Sequence, residues 1–139
     1  MVEARVAGAD AVLLIAECLD DAQLTDLHQQ AVELEMTPLV EFYHAENASR
    51  VLQAGATLVG VNNRDLRTFD TNLEHSIQMR EAIPEECLLV AESGIRSPGD
   101  VQRLADAGVD AMLVGEHLVA ASNIGEAIET LMAGVRESN

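Results

Sequence analysis

Residues 54–65 read Ala-Gly-Ala-Thr-Leu-Val-Gly-Val-Asn-Asn-Arg-Asp, and this stretch contains the unit from which the fold is built. Its second residue, Gly55, suits the left-handed position that ends a helix. A short apolar run follows, and polar side chains come directly after that run. The same helix-ending pattern precedes apolar runs at 7–10 and 107–110. The chain is therefore predicted to repeat a unit in which a helix ends, a strand follows and the next helix begins.

Five apolar runs have the character of strands, since they are short, continuous and not alternating. Such runs are typical of strands covered on both faces. Segments with helical spacing separate them, and strict alternation of this kind predicts a parallel α/β sheet with right-handed crossovers, either doubly wound or closed as a barrel. The predicted strands are 11–15, 38–40, 58–61, 88–90 and 111–114. The predicted helices are the stripe of Leu24, Leu27, Ala31 and Leu34 and the segments near 45–54, 72–82, 98–107 and 124–136.

Two helices have recognisable start signals. Asp20 or Asp21 is a plausible N-cap for the first stripe, because its carboxylate can accept from the unpaired amides of the first turn. Ser97 is the predicted cap of the helix near 98–107, and Pro98 suits its first turn.

Polar groups follow every predicted strand except the first. In parallel α/β folds the carboxyl ends of the strands lie at one edge of the sheet, where active sites are built. A doubly wound sheet would concentrate such groups at one switch point, so their even distribution favours a barrel. The groups are Glu41, Asn62-Asn63-Arg64-Asp65, Glu92-Ser93-Gly94 and Gly115-Glu116.

Composition bounds the class of protein. The 139 residues are 48% hydrophobic, which predicts one globular domain over 1–139 and not a disordered chain. Acidic residues outnumber basic ones 24 to 8, for a formal charge of -16. This balance argues against nucleic acid and anionic membranes as partners, because both require a basic surface. All the basic residues are arginine, so this chain cannot supply a lysine for a Schiff base.

Several features of the sequence predict a cytoplasmic protein. Cys18 and Cys87 are too few and too far apart for a disulfide framework or a zinc site, and we expect free thiols in a reducing cytoplasm. No apolar run reaches the ~18 residues of a membrane span. The surplus of carboxylates without lysine favours a halophilic protein over an ordinarily acidic one. The four histidines lack metal spacing and are predicted to lie on the surface or in loops.

Four motifs in order resemble indole-3-glycerol phosphate synthase, the TIM-barrel carboxy-lyase of tryptophan biosynthesis. The resemblance extends over essentially the whole chain, with 10–16 as the fourth strand of the family barrel. Each motif is weak alone, but four in this order with helix-sized spacers are specific. The motifs are Val40-Glu41, Gly60 to Leu66, Val90 to Ile95 and Leu113 to Glu116.

The resemblance implies a partial TIM (β/α)8 barrel of the phosphate-binding type. The family barrel has eight strands, and this chain would supply the fourth to the eighth, with 2–8 as the tail of the third helix. The first three βα units would be lacking, and with them a catalytic glutamate and two essential lysines of the family. We therefore expect the isolated chain to be inactive.

The resemblance also implies a substrate and catalytic roles. The family substrate is 1-(2-carboxyphenylamino)-1-deoxyribulose 5-phosphate, whose ring closure is followed by loss of carbon dioxide and water. Glu41 would transfer protons at the ketone or its hydroxyl, and Glu92 would stabilise positive charge on the anilino nitrogen. Asn62 would hold the hydroxyl region, and Arg64 the substrate carboxylate. A structural ion pair is the alternative role for the two glutamates, and a salt bridge to Asp65 or a neighbouring carboxylate is the alternative for Arg64.

The remaining implied contacts lie around these residues. Ser93 would bond the substrate, and Leu13 would lie under its aromatic ring. Gly94, Gly115 and Glu116 match the loops that bind phosphate through backbone amides, although Glu116 would repel phosphate unless its side chain points away. The resemblance implies neither a metal nor a cofactor.

Two competing interpretations remain at this point. The chain is alternatively a noncatalytic truncated barrel, which would self-associate through its open sheet edges. A different phosphate-binding barrel is a weaker interpretation, because an aldolase would require a lysine and an isomerase gives no reason for Asn62 to Asp65.

Overall fold

A single parallel sheet organises the chain, and its strands lie side by side in the order of the sequence. A computed structural model describes residues 1–133. The predicted alternation of helices with a parallel sheet is confirmed, although Val114 lies outside the last strand and Glu41 within the second. The strands are β1 Ala11–Ile15, β2 Thr37–Phe42, β3 Leu58–Asn62, β4 Leu88–Glu92 and β5 Ala111–Leu113.

The helices occupy the intervals between strands, but two are shorter than the sequence predicts. The segment 45–54 begins as a 3-10 turn before becoming α-helical, and the segment 72–82 ends as one. The helix in segment 72–82 ends because Ile83 takes the extended conformation that Pro84 requires of the residue before it. The helices are α1 Val2–Val6, α2 Asp21–Glu33, α3 Ala48–Gln53, α4 Glu74–Met79, α5 Pro98–Asp106, α6 Glu116–Val119 and α7 Ile124–Leu131.

Three further expectations concern helix ends. Asp20 accepts from the Gln23 amide at 2.8 Å, which confirms it as the N-cap of α2, and the Gln23 side chain accepts from the Asp20 amide at 3.0 Å, which completes a capping box. Ser97 caps α5 as predicted. The short α6 was not predicted, and the end of the segment 124–136 lies outside the described residues.

The hydrophobic core lies between the helices and one face of the sheet. On β2, β3 and β4 the strand side chains that point toward the helices are buried, whereas their neighbours along each strand point to the opposite face. Alternation therefore gives the sheet two different surfaces. The fully buried hydrophobic residues of the strands are Val40, Phe42, Val59, Val61, Leu89 and Ala91.

The opposite face of the sheet, which we call the inner face, leaves large apolar side chains exposed. Leu13, Leu88 and Leu113 are 42%, 56% and 44% exposed. Leu13 and Leu88 lie in one row across the sheet, and Leu113 lies level with Glu92. Within residues 1–133, β1 and β5 each pair with one other strand, so both edges of the sheet are open. The arrangement is that of a partial barrel.

No helix within residues 1–133 combines the length and apolarity that a membrane crossing requires.

Candidate active site

Three neighbouring strands bring Glu41, Asn62 and Glu92 together at the carboxyl edge of the inner face. Asn62 and Glu92 are partners in the register of β3 and β4, and Glu41 lies level with Gly60 on the adjacent strand. All three polar side chains are buried, at 6%, 7% and 4% exposure. Burial of two carboxylates and an amide at one point is costly, so their hydrogen bonding decides what the group can do.

Asn62 orients this group. Its Nδ2 donates to Glu41 Oε1 at 2.8 Å, and its Oδ1 accepts from the Arg64 amide at 2.9 Å. One side chain therefore holds the Glu41 carboxylate and fixes the first turn of the loop that carries Arg64.

Glu92 is the least satisfied member of the group. Its Oε1 is buried and has no hydrogen-bond partner among the described residues. Burial raises the pKa of Glu92 to about 8, and the negative charge of Glu41 acts in the same direction. At neutral pH the pair therefore holds a proton on Glu92 beside Glu41, which places an acid next to a potential base.

Gly60 makes room for the Glu92 carboxyl group. A β-carbon at position 60 would overlap Glu92 Oε1 and would come within 3.3 Å of Leu39. The missing side chain in the middle of β3 is thus what allows Glu92 to lie flat across the sheet. A glycine inside an apolar strand is the sequence signal for such a close approach, but the sequence analysis did not use it.

Arg64 projects toward the end of β5. Its Nη2 donates to Glu116 Oε2 at 2.5 Å, and its buried Nε has no hydrogen-bond partner among the described residues. This hydrogen bond and the guanidinium charge lower the pKa of Glu116. The sequence predicted Asp65 or a neighbouring carboxylate as the salt-bridge partner of Arg64. Asp65 Oδ1 instead lies 3.7 Å from Arg67 Nε, so the carboxylate that holds Arg64 is that of Glu116.

A cavity of about 190 Å³ opens beside this salt bridge. Ser93, Gly94 and Gly115 line it together with Arg64 and Glu116, so five predicted binding residues share one space. Leu13 is not among its lining residues, because it lies on β1 at the far side of the sheet. Arg96 and His117 also line the cavity, and Arg96 gives it a second guanidinium that the sequence analysis did not anticipate.

The loop between Glu92 and α5 turns through two left-handed residues. Ser93 has a φ of 68° and Gly94 a φ of 74°. A β-carbon on Gly94 would overlap the Thr71 side chain, so glycine is required there for space as well as for conformation. The turn brings both residues to the cavity wall.

Glu17 and His75 hold the loop that follows Glu41. Glu17 Oε1 accepts from the amides of Tyr43 and His44 at 2.7 and 3.1 Å and from Asn47 Nδ2 at 2.9 Å. On the other side, the Tyr43 carbonyl lies 2.6 Å from His75 Nε2. Of the four histidines, His44 lies in a loop as predicted, whereas the other three lie half-buried in helices: His28 in α2, His75 in α4 and His117 in α6.

No group of three or more histidine, cysteine, aspartate or glutamate side chains within residues 1–133 could hold a metal ion.

The comparison with protein families decides the relationship. The family model of indole-3-glycerol phosphate synthase matches residues 1–131. The chain belongs to this family. Its indole-3-glycerol phosphate synthase relatives include a protein of Rhodopirellula baltica, 50% identical over 96% of this chain and 51% of its own length. A relative from Lactiplantibacillus plantarum is 47% identical over the same two shares. The chain therefore spans about half the length of the curated synthases that it matches.

Solved structures show the fold more broadly. A 3-hexulose-6-phosphate synthase from Salmonella typhimurium superposes with a TM-score of 0.77 at 19% identity, covering 95% of this chain and 64% of that one. A thiamine phosphate pyrophosphorylase from Pyrococcus furiosus gives 0.75 at 22% identity over 96% and 63%. At such low identity these likenesses concern architecture alone, and they agree with the predicted partial TIM barrel.

Proposed function

We propose that this chain carries part of the active site of an indole-3-glycerol phosphate synthase. The reaction is ring closure of 1-(2-carboxyphenylamino)-1-deoxyribulose 5-phosphate with loss of carbon dioxide and water. One observation supports it above all: two buried glutamates, of which Glu41 is held by Asn62, lie on the inner face beside an arginine-lined cavity. The group combines an acid, a base and anion-binding groups at one edge of a sheet.

The two glutamates divide the proton transfers between them. In ring closure an aromatic carbon bonds to the ketone carbon, and the ketone oxygen takes a proton to become a hydroxyl. Glu92 holds a proton at neutral pH and is the donor. After donation its carboxylate faces the cationic ring nitrogen and stabilises that charge. Loss of carbon dioxide then restores the aromatic ring without releasing a proton. In the dehydration Glu41 accepts the proton that the neighbouring ring carbon loses and returns it to the hydroxyl, which leaves as water.

The cavity residues hold the anionic ends of the substrate. Arg64 binds the substrate carboxylate after releasing Glu116, because a guanidinium can donate two parallel hydrogen bonds to a carboxylate. Gly94, Gly115 and Glu116 present backbone amides to the phosphate, and Ser93 bonds the substrate between these ends. Leu13, exposed on the inner face, forms part of the apolar floor under the aromatic ring.

Activity requires the rest of a barrel, so the isolated chain is expected to form no indole product. Fusing this chain to the part of the Rhodopirellula baltica relative that it does not match is expected to restore synthesis. The measurement is steady-state fluorescence of the indole product, with the isolated chain assayed in parallel. A folded fusion without activity would contradict the proposal, and turnover by the isolated chain would contradict the need for the missing strands.

A noncatalytic, self-associating half-barrel is the second candidate function. The observation that favours it is the exposure of Leu13, Leu88 and Leu113 between two open sheet edges. Full burial of such a side chain contributes about 1.5–3 kcal/mol, and each of these leucines, being about half exposed, forgoes about half of that. A second copy that covers the inner face or pairs with an open edge would recover part of this free energy.

Salt is expected to promote that association. The charge of -16 repels a second copy at low ionic strength, where the Debye length is ~30 Å at 0.01 M. Molar salt screens this repulsion, so a dimer and a higher melting temperature are expected, as the halophilic interpretation also requires. Sedimentation and thermal unfolding across a salt series measure both. A compact monomer with a constant melting temperature would contradict both the association and the halophilic interpretation.

We also propose a cytoplasmic location and a small phosphorylated molecule as the partner, not nucleic acid or a membrane. The acidic surface repels polyanions, and the two cysteines, Cys18 and Cys87, are both free thiols.

A further inference from the structure

Asn63 is a buried side chain to which the reaction outlined above gives no role. It lies between Asn62 and Arg64 and is only 1% exposed. Its Oδ1 accepts from the amide and the hydroxyl of Ser76 at 2.9 and 2.7 Å. Its Nδ2 donates to the Ser93 carbonyl at 3.2 Å. Both ends of the amide are therefore used, and they connect α4 to the loop after β4.

The backbone of Asn63 belongs to the same connection. Its N–H donates to the Glu92 carbonyl at 2.8 Å, and its carbonyl accepts from the Asn72 amide at 2.9 Å. Asn63 thus extends the pairing of β3 with β4 by one residue, so that its side chain lies directly against the turn at Ser93.

The bond to Ser93 fixes the direction of one peptide group. In a trans peptide the carbonyl and the following N–H point in opposite directions. Anchoring the Ser93 carbonyl to Asn63 therefore turns the Gly94 N–H away from Asn63. No described residue accepts a hydrogen bond from that N–H, while Ser93 and Gly94 both line the cavity.

The bond also compensates for an unfavourable conformation. Ser93 has a φ of 68°, which costs a non-glycine residue free energy and persists only where its surroundings enforce it. The Asn63 amide is the side chain that holds the Ser93 carbonyl in this turn.

We infer that Asn63 is a positioning residue, whose side-chain amide orients the Ser93–Gly94 peptide so that the Gly94 N–H faces an anionic group bound in the cavity. The inference rests on the proposed function in one respect, namely that the cavity binds the substrate phosphate. Asn63 touches neither substrate nor reacting atoms.

The test uses the chain itself, with inorganic phosphate as the probe and the backbone amide spectrum as the readout. Phosphate is expected to shift the Gly94 amide resonance of the unmodified chain. Asn63→Ala is expected to move that resonance without ligand and to weaken phosphate binding about tenfold or more, as loss of a charge-assisted hydrogen bond would. Ser76→Ala is the matched control, because it removes a bond to the Asn63 oxygen but leaves the Nδ2 donor in place. It is expected to retain both the resonance position and the affinity.

Two results would overturn the inference. One is phosphate binding by Asn63→Ala as tight as that of Ser76→Ala. The other is a Gly94 resonance that does not respond to phosphate in the unmodified chain. If Asn63→Ala fails to fold, hydrogen exchange in the unmodified chain decides: slowed exchange of the Asn63 side-chain amide supports the inference, and exchange at the rate of a free amide overturns it.

These outcomes are separate from the fate of the proposed reaction. An inactive fusion together with Asn63-dependent phosphate binding would reject the reaction and keep the positioning role. An active fusion in which Asn63→Ala changes neither phosphate affinity nor the Michaelis constant would reject the positioning role and keep the reaction.

Discussion

Replacing Glu92 by glutamine in the fused barrel is expected to lower the turnover number about 10²–10⁴-fold, the usual contribution of a positioned acid. Glutamine keeps the size and polarity of the side chain but has no proton to give. Since Glu92 Oε1 lies against Gly60 and has no hydrogen-bond partner among the described residues, the substitution should fit the same space. The Michaelis constant should change much less, because the loss concerns the transition state more than substrate binding.

Glu41→Gln is expected to have an effect of the same order, because it removes the acceptor that Asn62 orients. Glu86→Gln is the matched control, since Glu86 is exposed before the opposite end of β4. Steady-state rates for the three variants decide the matter. Comparable turnover in Glu92→Gln and Glu86→Gln would show that Glu92 has only a structural role.

The stability of the chain is expected to fall as the pH rises from about 4.5 to 8, through the titration of Glu92. The pKa of this group is about 8 in the folded state, above the ordinary value of 4.5. Between these values the folded state keeps a proton that the unfolded state has released, so raising the pH favours unfolding. At 1.36 kcal/mol per pH unit, the full window corresponds to roughly 3–5 kcal/mol.

Urea unfolding at several pH values measures the contribution of Glu92 to the free energy of unfolding. The difference in this free energy between the unmodified chain and Glu92→Gln separates that contribution from those of the other carboxylates. The variant should be about as stable as the unmodified chain near pH 5 and more stable at pH 8. Glu129→Gln makes the same chemical change at an exposed site on α7 and should show no such trend. Parallel pH profiles for the chain and Glu92→Gln would mean that Glu92 ionises normally.

The sheet and the positions of its strand ends could be predicted because both depend on local pattern. Apolar runs, the helix ends at Gly8, Gly55 and Gly108 and the capping signals each act within a few residues, and all three glycines have the expected positive φ. Since carboxyl ends of parallel strands share one edge, the meeting of Glu41 with Glu92 followed from the same pattern.

Other features of the site depend on contacts between residues that are far apart in the sequence, and local sequence patterns do not predict such contacts. The partner of Arg64 is 52 residues away in sequence, and its choice of Glu116 over Asp65 is set by the position of β5. Asn63 was part of a recognised motif, but its role requires knowing that Ser76 approaches it from α4 and Ser93 from the loop after β4. Contacts between side chains that are distant in sequence are therefore the part of the site that the sequence could not predict.

The strand order of the sheet has a consequence for synthesis on the ribosome. Within residues 1–133, each strand after β1 pairs with the one made just before it, so it meets an existing edge as soon as its preceding helix has emerged. The loops to be closed are short, and the entropy cost of each closure stays small. The sheet can therefore be assembled in the order of translation. The edge that has just formed is always the one that the next strand will cover.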